Sequence, residues 1–223
     1  MAVEALLRDV LTNTTALYAW AVVVLASLAV LWYDVRENND EIASLMQFVW
    51  TLTVLYSGPL GLAVYAWAGR KQIARDSLWR RSARSVAHCY SGCGAGEVLG
   101  ITLAAGILAL HQLGVIAVTF TAAYTFGVAL TVGPMMQDGV AFGDAFRDAI
   151  ITETPSITVM EVAAIGTDIY LAEGATITEP LFWSALAFSL TVGLVVAYPV
   201  NVALVHHGVK DGMANPRDRA TPS

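Results

Sequence analysis

Apolar residues in this chain gather into long windows separated by short charged segments, a pattern typical of membrane-spanning helices. Crossing a hydrocarbon core about 30 Å thick takes roughly 20 apolar residues in an α-helix. The pattern predicts an all-α polytopic membrane helix bundle with six transmembrane helices in one domain, residues 1–213, followed by a flexible cytoplasmic tail, 214–223. The predicted spans are Ala16–Tyr33, Leu45–Ala68, Val86–Leu110, Val115–Met135, Ser156–Ala172 and Leu181–Val205.

Between the fourth and fifth windows, charged and apolar residues alternate. In the segment Gln137–Pro155, acids such as Asp144 and Asp148 are interleaved with Phe142, Phe146 and Ile150. A helix with one charged and one apolar face lies in the membrane interface. The segment therefore predicts a short amphipathic interfacial helix between spans four and five.

Composition and charge support this topology. Apolar residues make up 57% of the 223 positions and charged residues only 13%, which leaves little room for a soluble domain. Basic loops remain in the cytoplasm, and six spans would place eleven of the twelve Lys and Arg residues on one side, with only Arg36 opposite. The count predicts a multi-pass protein of the cell membrane with both termini in the cytoplasm.

The third window carries two stripes of chemically distinctive residues. Cys89, Cys93 and Glu97 recur at every fourth position and share one face of a helix. Gly92, Gly96 and Gly100 form a second stripe that lets a neighbouring helix approach closely. These glycines predict a packing interface that makes the third span central, and the thiols are expected to be reduced because they lie near the cytoplasm.

Three carboxyl groups fall inside predicted spans. Glu97 lies near the middle of the third, and Glu161 and Asp168 lie seven residues apart on one face of the fifth. A carboxyl group in the hydrocarbon is costly and marks a functional site or a buried pair. With no basic residue inside the spans, these groups are protonated, hydrogen-bonded or paired with a bound cation.

Other polar residues fall in the same half of the predicted bundle. His88, Cys89 and Cys93 make a soft donor set suited to Cu or Zn as a cofactor, and Glu97, whose carboxylate suits harder cations or protons, is the fourth candidate metal residue. Near the end of the last span, Tyr198 and Asn201 are candidate binding residues. The helix kinks are expected at Pro59 and Pro199, since each proline removes a backbone hydrogen bond and frees a carbonyl group.

A family resemblance rests on combined motifs in the second half of the chain. The run from His88 and Cys89 through Cys93 to Glu97, together with Tyr198-Pro199-Val200-Asn201 and the stretch Gly208–Met213, resembles a prokaryotic family of integral membrane proteins catalogued as domain of unknown function 4396. The turn Ser57-Gly58-Pro59-Leu60 resembles that family too, so the likeness runs from about Leu45 to Met213. It implies a shared six-span fold and a shared motif site, without a reaction.

Several functional classes remain after these observations. A microbial rhodopsin is excluded, because no lysine lies in a span, and no phosphate-binding loop or nucleophile elbow is present. The residues favour transport or binding of a small ion or transition metal in the cytoplasmic half of the bundle. The alternatives are a non-catalytic assembly protein that uses the Gly/Cys stripe as an interface, and a membrane enzyme or lipid- or quinone-binding protein. The expected partners are the lipid bilayer and a small cation or metal, not nucleic acid, and a homo-oligomer is left open.

Overall fold

In the computed structural model, which describes residues 2–137 and 139–217, the chain is all α-helical with no strand in these residues. A π-helical segment, Thr102–Ile107, extends the fifth helix. Asp138 and residues 218–223, which include most of the predicted tail, lie outside the described residues. The helices are α1 (Ala2–Thr12), α2 (Thr14–Asn38), α3 (Ser44–Ser57), α4 (Pro59–Ala68), α5 (Leu78–Ile101), α6 (Gln112–Gln137), α7 (Phe142–Ala172) and α8 (Pro180–His206).

Four of these helices, α2, α6, α7 and α8, are long and apolar enough to cross a membrane. Helix α5 is 24 residues long but rich in small and polar residues, and it begins with three arginines. Most of its residues from Ser82 to Gly96 are buried, because α5 packs against α6, α7 and α8. The central position expected for this helix is therefore what the structure shows.

The predicted second span, Leu45–Ala68, is not a single helix. It divides at Gly58, whose φ of +55° is reached without strain only by glycine, into α3 of 14 residues and α4 of 10. The two helices fold back on each other as a hairpin, since the Trp50 ring in the middle of α3 packs against the Tyr65 ring of α4, with 5.5 Å between the ring centroids. The expected kink at Pro59 is in fact a reversal, with Pro59 as the first residue of α4.

Both outer ends of the hairpin lie at the same end of the bundle. Asp34, in the last turns of α2, accepts hydrogen bonds from Tyr65 at 2.8 Å and from Arg70 at 2.7 Å. The backbone N–H of Lys71 donates to Asn39 at 2.8 Å. The chain therefore enters the hairpin and leaves it beside the C-terminus of α2, and Leu45–Ala68 does not form the continuous helix that the six-span prediction places here.

Helix α1 lies at the opposite end of the bundle. Ser184, in the first turns of α8, donates to the Leu11 carbonyl at 2.7 Å, and Arg8 donates to the Tyr170 carbonyl at 3.0 Å. We call this the α1 end, and we call the end that holds the hairpin termini and the residues after α8 the tail end. Five helices, α2, α5, α6, α7 and α8, run between the two ends.

The separate interfacial helix Gln137–Pro155 is a second wrong prediction. Helix α7 is continuous over 31 residues and passes through Pro155. Its charged residues are not all turned to an interface, because Glu153 is buried and pairs with Lys210. Its pattern looks amphipathic because part of one face lines a polar cavity inside the protein.

Candidate functional site

Glycines on α5 bring α6 unusually close. A Cβ atom on Gly96 would lie 2.4 Å from the Ala122 carbonyl oxygen, and one on Gly100 would lie 2.8 Å from the Thr119 Cα. Gly92 lies against α6 in the same way. The stripe of small residues is therefore covered by another helix of the same chain.

The two thiols lie in this tightly packed region. Cys89 and Cys93 are free and buried, with their Sγ atoms 4.0 Å apart. A Cβ atom on Gly127 of α6 would lie 2.8 Å from the Cys93 Sγ, so there is no spare volume beside that sulfur. On the α7 side, the Ser156 hydroxyl donates to the Cys89 Sγ at 4.0 Å and accepts from the Asn201 amide of α8 at 2.5 Å.

Three acids, Glu97 of α5 and Glu161 and Asp168 of α7, have carboxyl oxygens without hydrogen-bond partners. Glu97 is 1% exposed and Glu161 is 0% exposed. One oxygen of Glu97, both oxygens of Glu161 and one oxygen of Asp168 have no hydrogen-bond partner. The Cys93 thiol is the polar group beside Glu161, and the charged groups that act on Glu97 are Glu161 and Asp168. None of the ion pairs in residues 2–137 and 139–217 includes any of these three acids.

A polar cavity of about 730 Å³ opens at the tail end, between the start of α3, the middle of α5 and the residues after α8. The Lys210 ammonium lies on its wall and pairs with the buried Glu153 carboxylate at 2.6 Å, and Thr131 donates to the same carboxylate at 3.1 Å. The Lys210 ammonium also donates to the Asn201 side-chain oxygen Oδ1 at 3.5 Å. Asn201 therefore connects the cavity wall with Ser156 and, through it, with the thiols.

The proposed soft-metal residues do not converge. His88 lines the tail-end cavity, whereas Cys93 lies between α5, α6 and α7, and Glu97 lies more than two helical turns beyond His88. Among the described residues, no group of three or more His, Cys, Asp or Glu side chains could hold a metal ion together. The geometry gives the Cu or Zn hypothesis no support.

The two candidate binding residues of α8 have different surroundings. Asn201 is buried within the polar contacts just described. Tyr198 is half-buried instead, and its hydroxyl donates to the Trp79 carbonyl at 3.2 Å, away from the acids and thiols. Pro199 lies inside α8 between them.

The tip of the hairpin reaches α5 next to the acids, which the sequence did not indicate. The Tyr56 ring packs on Gly94, where a Cβ atom would lie 2.6 Å away, and meets the Tyr90 ring edge-on at 5.7 Å. Tyr90 is fully buried, and its hydroxyl has no hydrogen bond of normal geometry, although Ser57 lies nearby. The only sequence signal near this contact is Ser57-Gly58-Pro59, where the proline predicts a kink and not a reversal.

Other residues were misjudged because their partners are distant in sequence. The sequence places Lys210 in the segment after the last predicted span and Glu153 in the predicted interfacial helix, and no pattern marks Ser156. The Arg84 guanidinium, 1% exposed, donates to the carbonyls of Ala68 and Met213 and ties the hairpin and the tail to α5. The chain is thus docked at least as far as Asn215, which is 4% exposed and donates to the Ile73 carbonyl.

The helices and the buried acids define an all-α membrane protein with a set of buried polar side chains in its core. The chain belongs to the family described as domain of unknown function (DUF4396), whose model matches residues 78–210. The match covers α5 to α8 and ends at Lys210, so it includes the thiols, the three acids and the tail-end ion pair. The hairpin, with its turn at Ser57–Leu60, lies outside the match. No curated protein and no solved structure matches the chain.

Proposed function

We propose that this protein moves a small cation across a membrane, and that Glu97, Glu161 and Asp168 bind the cation on its way. One observation carries the proposal: Glu97 and Glu161 are buried on adjacent helices, and none of the ion pairs within residues 2–137 and 139–217 includes either carboxyl group. An ionised carboxyl group inside a low-dielectric core costs several kcal/mol unless it is neutralised. A cation that is bound and released provides this neutralisation.

The alternative function as an assembly protein gains nothing from the structure. That reading required the Gly/Cys stripe to serve as an interface with another protein. Gly92, Gly96 and Gly100 are already covered by α6 of the same chain. The small residues therefore position Cys93 and Glu97 within the bundle, as a binding site requires.

The topology belongs to the same proposal: five membrane spans, α2 and α5 to α8, and a re-entrant α3–α4 hairpin. At ~1.5 Å per residue, α3 and α4 are about 21 Å and 15 Å long, too short to cross a core of about 30 Å. Of the eleven Lys and Arg residues described, ten lie at or near the tail end and only Arg8 lies at the α1 end. By the positive-inside rule the tail end is cytoplasmic, and the N-terminus lies on the other side.

Cysteine labelling tests this topology. In a background with Cys89→Ser and Cys93→Ser, single cysteines at the exposed positions Glu37, Ala74 and Thr178 would be treated with a membrane-impermeant maleimide in intact cells. The hairpin places positions 37 and 74 together on the inside and position 178 outside, so only Thr178→Cys should react. Reaction of Glu37→Cys but not Ala74→Cys would restore the six-span topology.

Flux measurements test the function. Purified protein in liposomes would be given a gradient of protons, Na⁺ or K⁺, and the flux of each would be compared between wild type and variants. We expect Glu97→Gln and Glu161→Gln to reduce the flux about tenfold or more, since each removes a binding carboxylate in the hydrocarbon. Glu37→Gln, an exposed acid, is the matched control. Wild-type flux in both buried variants, or no flux of any cation, would refute the proposal.

A further inference from the structure

We infer that the transported cation is the proton, and that it exchanges with water through Asp168 at the α1 end while the core is closed toward the tail-end cavity. This inference rests on the proposed function, because it identifies the substrate of the same acidic site. It depends on three observations: the ligand geometry, the spacing of the acids, and the packing between Glu161 and the cavity.

The first observation concerns the ligand set. A metal cation needs several oxygen, nitrogen or sulfur ligands at the same time, at about 2.0–2.6 Å. The described part of the chain contains no group of three His, Cys, Asp or Glu side chains able to hold one. The groups that interact with Glu161 are the Cys89 and Cys93 thiols, soft donors that alkali and alkaline-earth ions do not prefer. A proton neutralises one carboxylate without any ligand shell.

The second observation concerns how the acids follow one another. Glu161 and Asp168 are seven residues apart on α7, about 10 Å along its axis, and therefore share one face. Both carboxyl groups interact electrostatically with Glu97 on α5. The acids thus form a series, with Asp168 only four residues from the last residue of α7, and Asp168 is partly exposed whereas Glu161 is not.

Transfer along this series is balanced at each step. A carboxylic acid at Asp168 gives its proton to the Glu97 carboxylate, and Asp168 becomes the carboxylate. Glu97 then passes a proton to Glu161 in the same way, so no oxidant, reductant or other reactant is needed. The other titratable groups that interact electrostatically with this site come from three helices. Tyr56 of α3 and Tyr90 of α5 interact with Glu97, and Cys89 of α5 and Glu153 of α7 interact with the Cys93 thiol beside Glu161.

The third observation concerns the closed side. Between Glu161 and the tail-end cavity lie Cys93, Cys89, Ser156 and Asn201, each at most 1% exposed. Hydrogen bonds connect these side chains in order from the cavity inward: the Asn201 amide donates to Ser156, and Ser156 donates to Cys89. A continuous set of buried side chains therefore separates Glu161 from the cavity and holds the protein closed on that side.

Infrared difference spectroscopy on the full-length protein in lipid tests the inference directly, because a protonated carboxyl group has its own C=O stretching band. At neutral pH we expect such a band in wild type, a loss of intensity in Glu97→Gln, and no change in Glu37→Gln. Asp168→Asn should slow the hydrogen–deuterium exchange of the remaining band about tenfold or more, because it removes the exchange point with water.

Flux under ion substitution completes the test and separates the two proposals. Proton flux should be unchanged when Na⁺ and K⁺ are replaced by a bulky organic cation. A flux that requires Na⁺ or K⁺ and is lost in Glu97→Gln, with no carboxylic acid band, would overturn the proton assignment and leave the proposed function intact. The absence of flux for every cation would overturn both, and unchanged exchange in Asp168→Asn would overturn the route.

Discussion

Replacing Gly96 with alanine should show how strongly the site depends on the close approach of α5 and α6. The added Cβ atom would lie 2.4 Å from the Ala122 carbonyl oxygen and 2.7 Å from the Ala123 Cα. Comfortable contacts between such atoms are about 3.5–4.0 Å, so the two helices must separate by roughly 1 Å. The clashing atoms are backbone atoms and cannot rotate away.

The expected loss follows from two opposing effects. Overpacking of this kind costs about 1–3 kcal/mol, and the rigid backbone on both sides favours the upper value. Alanine gains up to about 1 kcal/mol over glycine in a helix interior. We therefore expect Gly96→Ala to lower the free energy of unfolding by about 2 kcal/mol, measured by denaturant unfolding in detergent micelles.

The matched control is Gly166→Ala in α7. Apart from the local backbone of α7 itself, no heavy atom lies within 4 Å of the position its Cβ would take. Only the gain in helix propensity therefore applies, and the stability of Gly166→Ala should equal or exceed that of wild type. If Gly96→Ala is as stable as Gly166→Ala, the close contact between α5 and α6 is not present in the folded protein, and the placement of Cys93 and Glu97 beside α6 fails with it.

Two further predictions concern the tail end. Lys210→Met leaves the Glu153 carboxylate, which is 3% exposed, without its cation, and should lower the free energy of unfolding by about 3–5 kcal/mol, measured with denaturant. Adding Glu153→Leu should recover much of this loss. No recovery would contradict a buried ion pair. Arg84→Gln removes the hydrogen-bond donors of the Ala68 and Met213 carbonyls, and each unsatisfied carbonyl should cost about 1–3 kcal/mol of stability. Limited proteolysis should therefore cut the tail sooner than in wild type. Equal cutting rates would contradict this docking.

Parts of the fold were predictable because they depend on local patterns. Apolar windows located α2, α6 and α8, and the glycine spacing indicated the central position of α5. The number of crossings was not predictable in this way. With six spans, Arg8 lies on the same side of the membrane as the other basic residues and Arg36 lies alone on the opposite side. With a re-entrant hairpin, Arg36 joins the majority and Arg8 lies alone. Either topology therefore leaves a single basic residue on the minority side. The charge count cannot distinguish them.

The hairpin itself depends on contacts between distant residues. The Trp50 ring packs against the Tyr65 ring, and Asp34 accepts hydrogen bonds from Tyr65 and Arg70. A window of apolar residues is equally long whether it crosses the bilayer or turns back in it. Only the sequence Gly58-Pro59 marked the position of the break, and proline in a span usually indicates a kink.

The sequence predicted several residues of the site, but not the contacts between them. Glu97 and Glu161 were identified because a carboxyl group in an apolar window is expensive whatever surrounds it. The pairing of Lys210 with Glu153 was not predictable, since 57 positions separate them and each looked like a loop or surface charge. The four-residue metal set was grouped by sequence proximity, but a helix turns His88 toward the cavity and places Glu97 beyond the thiols.

The shortness of α3 and α4 has a consequence for how the protein is assembled. A helix of 14 or 10 residues presents too little apolar length to be retained by lipid alone during insertion. The hairpin can therefore take its place only after its neighbours offer it a protein surface, with α2 on one side and α5 on the other. Docking of the hairpin brings Tyr56 against α5, so the acidic site is complete only once α3 and α4 have packed against these two helices.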